Sequence, residues 1–244
     1  MLKSARKIAS SKNFIFTIIS EMIMPRYTPY FRNYGFVLSS LFSILLLFGS
    51  LVVNFYAGTY ATEKASNSVT DIILSNIRIF DVEAVFIYGP LLLWTFVGIL
   101  FIFKPQRIPF ALKSISLFIL IRSVFISLTH IGPFPSAIPI DSVDVINSIG
   151  HVIGKFTFGG DLFFSAHTGL PFLMSLLFWE QRVLRLIFIA ISLLFGVVVL
   201  AGHLHYSIDV LSAFFITYTI HHLAVLFFPR DHDIFERGIA LSKN

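Results

Sequence analysis

The chain has 244 residues, of which 56% are hydrophobic and only 13% are charged, and its mean hydropathy is +0.85. Soluble domains usually have about 25% charged residues, so this composition excludes a water-soluble protein and indicates an integral membrane protein. The absence of cysteine excludes disulfide scaffolds, cysteine-ligated zinc and thiol catalysis. The formal net charge of +5 raises the question of a nucleic-acid partner, which the positions of the basic residues decide.

The N-terminal segment, residues 1–33, is basic and is expected to lie in the cytoplasm or at the membrane interface. Its apolar stretch Asn13–Met24 is short, contains Glu21 and lacks a small-residue cleavage site, so no cleavable signal peptide is predicted. The stretch is either an interfacial helix or a membrane-proximal segment without a task of its own.

Six segments are predicted to span the membrane, because a spanning helix needs roughly 20 predominantly apolar residues. They are Phe36–Ala57, Ala84–Phe103, Phe110–Thr129, Leu162–Trp179, Val183–Ala201 and Ile208–Phe228. The expected fold class is therefore an all-α, six-span membrane bundle over residues 34–228, followed by a cytoplasmic tail, residues 229–244.

The Lys and Arg residues outside the spans predict the orientation, since cytoplasmic loops are enriched in them. Fourteen of the 18 basic residues lie on the side that holds both termini, which is therefore the cytoplasmic side. The opposite, outer side has three: Lys64, Arg78 and Lys155. The outer connections are Gly58–Glu83, which is expected to be ordinary connecting chain, His130–Asp161, and a turn near His203–Ser207. Because the basic residues are spread over short loops, no nucleic-acid partner is predicted.

Among the ionisable residues of the spans, Arg122, His167 and Asp209 lie towards the outer ends, with His205 just before the sixth span, and ionisable groups inside a membrane are costly and indicate function by default. Arg122 lies about seven residues, roughly 10 Å, from the outer end of the third span. His167 lies near the outer end of the fourth span, and Asp209 opens the sixth, just after His205. The directions of the spans place all four at a similar depth, so we expect them to form one polar pocket that faces outward.

The residue types in this pocket suit phosphoryl transfer. Residues four apart share a helix face, so Asp209 can accept the proton on one ring nitrogen of His205 and leave the other nitrogen exposed. A histidine held in this way is a competent nucleophile or general base. His167 supplies a second imidazole as an acid, and the planar cation of Arg122 suits phosphate. The alternative is that each residue is a separate structural hydrogen bonder.

Three segments resemble the motifs of one family. The segment Gly160–Thr168 (G-D-L-F-F-S-A-H-T) resembles the G-D-x-x-F-S-G-H-T motif of sphingomyelin synthases and related enzymes. His203–Val210 (H-L-H-Y-S-I-D-V) resembles their H-x-H-Y-[ST]-x-D-V motif, and Arg122–Pro135 is similar to their Arg-led motif. Those enzymes belong to the type 2 phosphatidic-acid phosphatase superfamily, whose members share a six-span helical core.

The resemblance implies a role for each matching residue. His205 matches the nucleophile that attacks the lipid phosphate and becomes a phospho-histidine, and Asp209 matches the carboxylate that orients it. His167 matches the acid that protonates the leaving alcohol and then deprotonates the acceptor, which is water in the phosphatases and a lipid alcohol such as ceramide in the synthases. Arg122 matches a phosphate-binding arginine. The family requires no metal, and the sequence has no HExxH or multi-histidine box that would predict one.

The sequence also departs from the superfamily patterns. Ala166 replaces the glycine of S-G-H. The phosphatase pattern K-x6-R-P would place Lys and Pro where Ile115 and Ser123 stand, and S-R-x5-H would place Ser and Arg at Val198 and Val199. These departures favour the sphingomyelin-synthase-like branch and leave open an attenuated or inactive member.

Five further residues are expected to support the site: Asp161, Ser165, Thr168, His203 and Tyr206. Asp161 either caps the fourth span or hydrogen-bonds within the pocket, and His203 either lines the pocket or is a solvated loop residue. Ser165 and Tyr206 are expected to hydrogen-bond to the catalytic side chains.

The predicted function is that of a membrane lipid phosphatase or phosphotransferase that works through a phospho-histidine. Its expected partner is a phospholipid or lipid phosphate, and no cofactor and no particular oligomeric state are predicted. The alternatives are a polyprenyl-diphosphate phosphatase and a non-catalytic lipid-binding protein of the same fold. A small transporter would need broken helices or repeats near the middle of the membrane.

Overall fold

The computed structural model describes residues 24–137 and 162–239, and within these ranges all regular structure is helical. Residues 13–23 of the possible interfacial helix, and Asp161, lie outside the described residues. The helices are α1 (Met24–Phe31), α2 (Tyr34–Glu63), α3 (Glu83–Phe103), α4 (Ile108–Leu128), α5 (Ala166–Leu177), α6 (Arg182–Ala201), α7 (Ser207–Phe227) and α8 (Pro229–Arg237). A short 3₁₀ turn, Pro105–Arg107, joins α3 to α4.

Five of the predicted spans are present as helices long and apolar enough to cross a bilayer. These are Tyr34–Glu63, Glu83–Phe103, Pro105–Leu128, Arg182–Ala201 and Ser207–Phe227. Their outer faces are rich in exposed large apolar side chains, which suits contact with lipid. The all-helical, multi-pass membrane architecture expected from the composition is therefore present.

The fourth predicted span, Leu162–Trp179, is shorter than expected, so a count of six spans is not confirmed. Its helix α5 has only 12 residues, about 18 Å at 1.5 Å per residue, whereas the apolar core of a bilayer is about 30 Å thick. The helix begins late because the backbone N–H of Ser165 donates to the carbonyl of Asp209 (3.0 Å), a partner outside the helix. Most of α5 is buried against the other helices rather than exposed.

The helices that bear the predicted site pack closely. α2 lies along α4, and α5 packs against both α6 and α7. A Cβ added at Gly169 of α5 would lie 2.6 Å from the Phe118 ring and 2.9 Å from the Thr217 hydroxyl. Small residues at such points allow helix backbones to approach closely in membrane proteins. Here Gly169 allows the first half of α5 to pack closely against α7.

One end of the bundle is closed by α8, which is held by a buried ion pair. Lys113 of α4 pairs with Asp231 of α8, and both are more than nine-tenths buried. The Lys113 ammonium also donates to Ser39 Oγ (2.7 Å), which in turn donates to the Asp231 carboxylate (2.6 Å). The rings of Phe42 and Phe228 flank the ammonium at 5.2 and 5.1 Å. Lys113, which in the sequence is only one of the basic residues that predict the orientation, thus joins three helices.

We predict that Lys113→Met lowers the free energy of unfolding by about 3–5 kcal/mol, because it leaves the Asp231 carboxylate buried without its cation. Unfolding in detergent micelles measures the change, and the double variant with Asp231→Asn should recover most of it. Lys64→Met, at an exposed lysine beyond α2, is the matched control and should unfold like the wild type. Equal unfolding of the Lys113 and Lys64 variants would contradict the structural role of the pair.

Candidate active site

The turn between α6 and α7 brings His205 and Asp209 into contact. The His205 Nδ1 lies 3.1 Å from Asp209 Oδ2, and the same oxygen accepts the backbone N–H of Tyr206 at 3.1 Å. Asp209 is fully buried and His205 is 6% exposed. The predicted pairing is therefore present, but His205 precedes the helix, and the two residues meet through the capping box of α7 rather than across a shared helix face.

The hydrogen bond determines the tautomer of His205. A carboxylate oxygen only accepts, so the proton of the bond belongs to Nδ1. In the neutral ring the lone pair is then on Nε2, the arrangement that suits a nucleophile or general base.

The start of α5 and the middle of α4 are anchored at the same place. The Ser165 N–H donates to the Asp209 carbonyl (3.0 Å), and Arg122 Nε donates to the Phe164 carbonyl (3.2 Å). Arg122 is 5% exposed and lies well inside α4. The chain-distant elements that were expected to converge do so, at the end of the bundle where α6 ends and α7 begins, which we call the His205 end.

The His167 side chain joins this cluster and also binds α3, which the sequence did not predict. Its ring lies within electrostatic range of both His205 and Arg122 and hydrogen-bonds to the backbone carbonyl of Phe86. It stacks on the Phe86 ring at a centroid distance of 4.1 Å and an interplanar angle of 23°. The Phe195 ring of α6 meets it edge-on at 6.2 Å. His167 is thus held between two aromatic rings and interacts electrostatically with His205 and Arg122.

Several polar atoms of the predicted site are buried and have no hydrogen-bond partner among the described residues. They include Ser165 Oγ, Thr168 Oγ1 and Asp209 Oδ1. Such atoms are rare in folded proteins, and these three belong to residues singled out from the sequence. Ser165 occupies the N-cap position of α5, and Asp161, for which a capping role was one alternative, lies outside the described residues.

The two remaining supporting residues, His203 and Tyr206, bind neighbouring loops. His203 is 3% exposed, its Nδ1 lies 2.8 Å from Ser136 Oγ, and its φ of 55° is unusual for a residue other than glycine. It is therefore a buried residue, not a solvated loop residue. The Tyr206 hydroxyl donates to the Gly132 carbonyl (2.8 Å) and accepts the Val69 N–H (3.2 Å), whereas we expected it to hydrogen-bond to catalytic side chains.

The connection between α2 and α3, residues 64–82, lies over the His205 end. Its Leu74 is 1% exposed and packs with Leu162 and Tyr206. The Asp71 carboxylate accepts from Ser207, the first residue of α7. The polar sequence of this segment predicts ordinary connecting chain, because a polar loop shows no periodic pattern that would reveal such contacts.

No group of three or more His, Asp or Glu side chains in the described ranges is arranged to hold a metal ion. The cations and imidazoles that do converge are Arg122, His167 and His205. Together with the Asp209 carboxylate, they can bind an anion, attack it and exchange protons with it.

We predict that Gly89→Ala disturbs the surroundings of His167, because a Cβ at Gly89 of α3 would lie 2.7 Å from the Phe195 ring. Overpacking of this kind typically lowers stability by about 1–3 kcal/mol. Displacement of the Phe195 ring should raise the rate at which diethyl pyrocarbonate modifies His167. Gly98→Ala, on the same helix with nothing within 4 Å of the added Cβ, is the control and should be neutral or slightly stabilising. The same modification rate in both variants would contradict the role of this contact.

Comparison with known proteins connects this cluster with one superfamily. Residues 159–226 match the family model described as PAP2 superfamily C-terminal. The matched segment includes α5, α6 and nearly all of α7, and with them His167, His205 and Asp209. No curated protein and no solved structure matches the chain significantly. The family match supports the PAP2 superfamily, whose members are phosphatases, and leaves the branch within it undecided.

Proposed function

We propose that the chain is a membrane enzyme that cleaves a lipid phosphate ester or headgroup bond through a phospho-histidine at His205. The observation that carries the proposal is the buried hydrogen bond between His205 Nδ1 and Asp209 Oδ2, which leaves Nε2 as the free nitrogen of the ring. The positions of His167 and Arg122 near this ring support it, and so does the PAP2 match.

In the first step, the Nε2 lone pair of His205 attacks the phosphorus of the lipid. The P–O bond to the leaving alcohol breaks, and that oxygen takes a proton from His167. Asp209 stabilises the positive charge that develops on the His205 ring, and the Arg122 guanidinium binds the non-bridging phosphate oxygens. Arg122 is held by the Phe164 carbonyl, so its cation is positioned before the substrate arrives.

In the second step, an acceptor hydroxyl attacks the phospho-histidine. His167, now neutral, takes the proton of the acceptor, the P–N bond breaks, and its electron pair returns to Nε2. Water as the acceptor gives hydrolysis, and a lipid alcohol gives transfer. The proposed cycle ends with both histidines in their starting state and uses no metal or other cofactor.

We propose the sphingomyelin-synthase-like branch rather than the phosphatase branch. The positions at which the phosphatase patterns have further phosphate-binding cations are buried here. Ile115 and Val199 stand at those two positions and are buried. Ser123 and Val198, at the Pro and Ser positions of the same patterns, are buried as well, and Ser123 Oγ donates to the Ile119 carbonyl. Because uncharged, buried side chains fill these positions, we propose that Arg122 binds the phosphate without the additional cations of the phosphatase patterns.

The proposed orientation places the site on the outer side of the membrane and both termini in the cytoplasm. Lys64 and Arg78 lie in the connection that covers the His205 end, whereas the opposite end has more basic residues. These include Lys104, Arg107, Arg182, Arg230 and Arg237. By the positive-inside rule, the end with more basic residues lies in the cytoplasm, so the His205 end lies on the outer side.

We predict that His205→Ala lowers lipid-phosphate turnover by about 10⁴-fold or more and abolishes covalent labelling. The purified enzyme, mixed with a ³²P-labelled lipid phosphate and quenched in base, should retain label that is stable to base and lost in acid. His222→Ala, at an exposed histidine farther along α7 that contacts Tyr218, is the control and should label like the wild type. Full turnover by the His205 variant would refute the mechanism.

A substrate panel separates the reactions that this site could perform. With phospholipid and ceramide together, the proposed branch should form a new lipid that bears the headgroup. Release of free phosphate from a lipid monophosphate would indicate hydrolysis instead, and a preference for polyprenyl diphosphate would indicate that class of phosphatase. Binding of lipid without any turnover would favour the non-catalytic alternative.

A further inference from the structure

The connection between α2 and α3 is tied down along its length, and we call residues 64–82 the strap. Near its start, the Ser66 N–H and hydroxyl both donate to the His130 carbonyl, at 2.8 and 2.5 Å. Near its end, the Phe80 N–H donates to the carbonyl of Ala201, the last residue of α6 (2.9 Å). Between these anchors the strap binds Ser207, the first residue of α7, at the His205 end.

Asp71 is the polar centre of the strap. It is 7% exposed, and its carboxylate accepts four hydrogen bonds. Oδ1 accepts the backbone N–H groups of Ile73 (2.8 Å) and Leu74 (3.0 Å), which fold the strap itself. Oδ2 accepts the N–H (2.7 Å) and the hydroxyl (2.8 Å) of Ser207. One carboxylate therefore both shapes the strap and attaches it to α7.

The charge of Asp71 strengthens this attachment. Burial alone would raise the pKa of Asp71, but the hydrogen bonds from Leu74, Ser207 and Ile73 outweigh it and hold the pKa below its ordinary value. The group is therefore an anion at neutral pH. Hydrogen bonds to an ionised acceptor are roughly twice as strong as neutral ones, and an anion is favoured at a helix N-terminus.

The residue beside Ser207 is held by the same strap. The Tyr206 hydroxyl accepts the Val69 N–H (3.2 Å), and Leu74 packs with its ring. The Tyr206 backbone N–H in turn donates to the Asp209 oxygen that bonds His205. Residues 206 and 207 thus connect the strap to the His205–Asp209 pair.

We propose that Asp71 is a positioning residue for the His205–Asp209 pair. The first turn of a helix has N–H groups without intrahelical partners and frays easily. By holding Ser207, Asp71 prevents this fraying and keeps the Asp209 carboxylate on His205 Nδ1. The expected effect on the rate of catalysis rests on the proposed function. The expected effect on the order of the first turn of α7 does not.

Asp71→Asn tests the proposal, because the amide is the same size but has no charge and cannot accept all four hydrogen bonds. We expect kcat to fall by about 10- to 100-fold with less than about twofold change in KM, since misplacement by about 1 Å can cost 10²-fold in rate and Asp71 is not assigned to substrate binding. Ser207→Ala removes one partner of the same carboxylate, so it should lower kcat less, and the double variant should be no worse than Asp71→Asn.

Asp81→Asn is the matched control. Asp81 is an exposed aspartate of the same strap, and its hydrogen bond, from the N–H of Glu83 (3.2 Å), is to the start of α3 rather than to α7. We expect its kcat and KM to equal those of the wild type. A wild-type kcat in Asp71→Asn, a loss expressed only in KM, or equal losses in both aspartate variants would overturn the positioning role.

Hydrogen exchange measures the order of the first turn of α7 independently of catalysis. In Asp71→Asn, the amides of residues 207–210 should exchange faster, while those in the middle of α7 should keep their wild-type rates; Asp81→Asn should change neither. If the wild type turns over no lipid phosphate, the proposed function fails, but this exchange pattern would still support the anchoring of α7. Unchanged exchange at residues 207–210, or faster exchange throughout the bundle, would contradict it.

Discussion

The structure of the His205 end depends on one carboxylate that is completely buried. Asp209 is 0% exposed, and burial of an ionised group is costly unless hydrogen bonds compensate for the lost water. Its Oδ2 accepts from the His205 ring and from the Tyr206 backbone, and its carbonyl accepts from Ser165. These bonds cap α7, define the tautomer of His205 and set where α5 begins. Loss of the Asp209 carboxylate would therefore remove both the α7 cap and the His205 contact, whereas the backbone carbonyl could still accept from Ser165.

Around this carboxylate, polar groups are supported by elements from distant parts of the sequence. α4 brings Arg122, α3 supplies the Phe86 ring and carbonyl against His167, and the strap supplies Asp71. In a low-dielectric interior, hydrogen-bonded networks of this kind rigidify the groups that they join. Preorganised charges suit phosphoryl transfer, in which the protein contributes mainly position and electrostatic stabilisation. The apolar surface of the surrounding helices suits a substrate that arrives from the membrane.

The sequence alone predicted the parts of this arrangement that depend on composition and on helix direction. The apolar runs predicted the five helices of membrane-spanning length. The alternating directions of the predicted spans placed Arg122, His167 and His205 at one end of the bundle. The pairing of His205 with Asp209 was predicted from their spacing, although a helix cap, not a shared helix face, brings them together. The resemblance of the histidine motifs to sphingomyelin synthases and their relatives is consistent with the PAP2 match but does not decide the branch.

The remaining features depend on contacts that leave no periodic signal in a sequence. Phe86 is one of 29 phenylalanines, and only the folded chain shows that its ring stacks on His167. Asp71 and Ser207 are 136 positions apart, so no local pattern connects them. The late start of α5 follows from a hydrogen bond between the Ser165 and Asp209 backbones, which an uninterrupted apolar run cannot reveal. Lys113 follows the positive-inside pattern, but its pairing with Asp231 is visible only once the position of α8 is known.

We propose that His205 Nε2 is the atom that bonds phosphorus. Orthovanadate mimics phosphate in its pentacovalent state, so a structure of the protein with vanadate would test this claim most directly. We predict that vanadium bonds to His205 Nε2, that vanadate oxygens lie within hydrogen-bond distance of Arg122, and that His205 Nδ1 still donates to Asp209. Vanadate bound away from His205 at saturating concentration, or a His205 ring turned so that Nε2 faces Asp209, would contradict it.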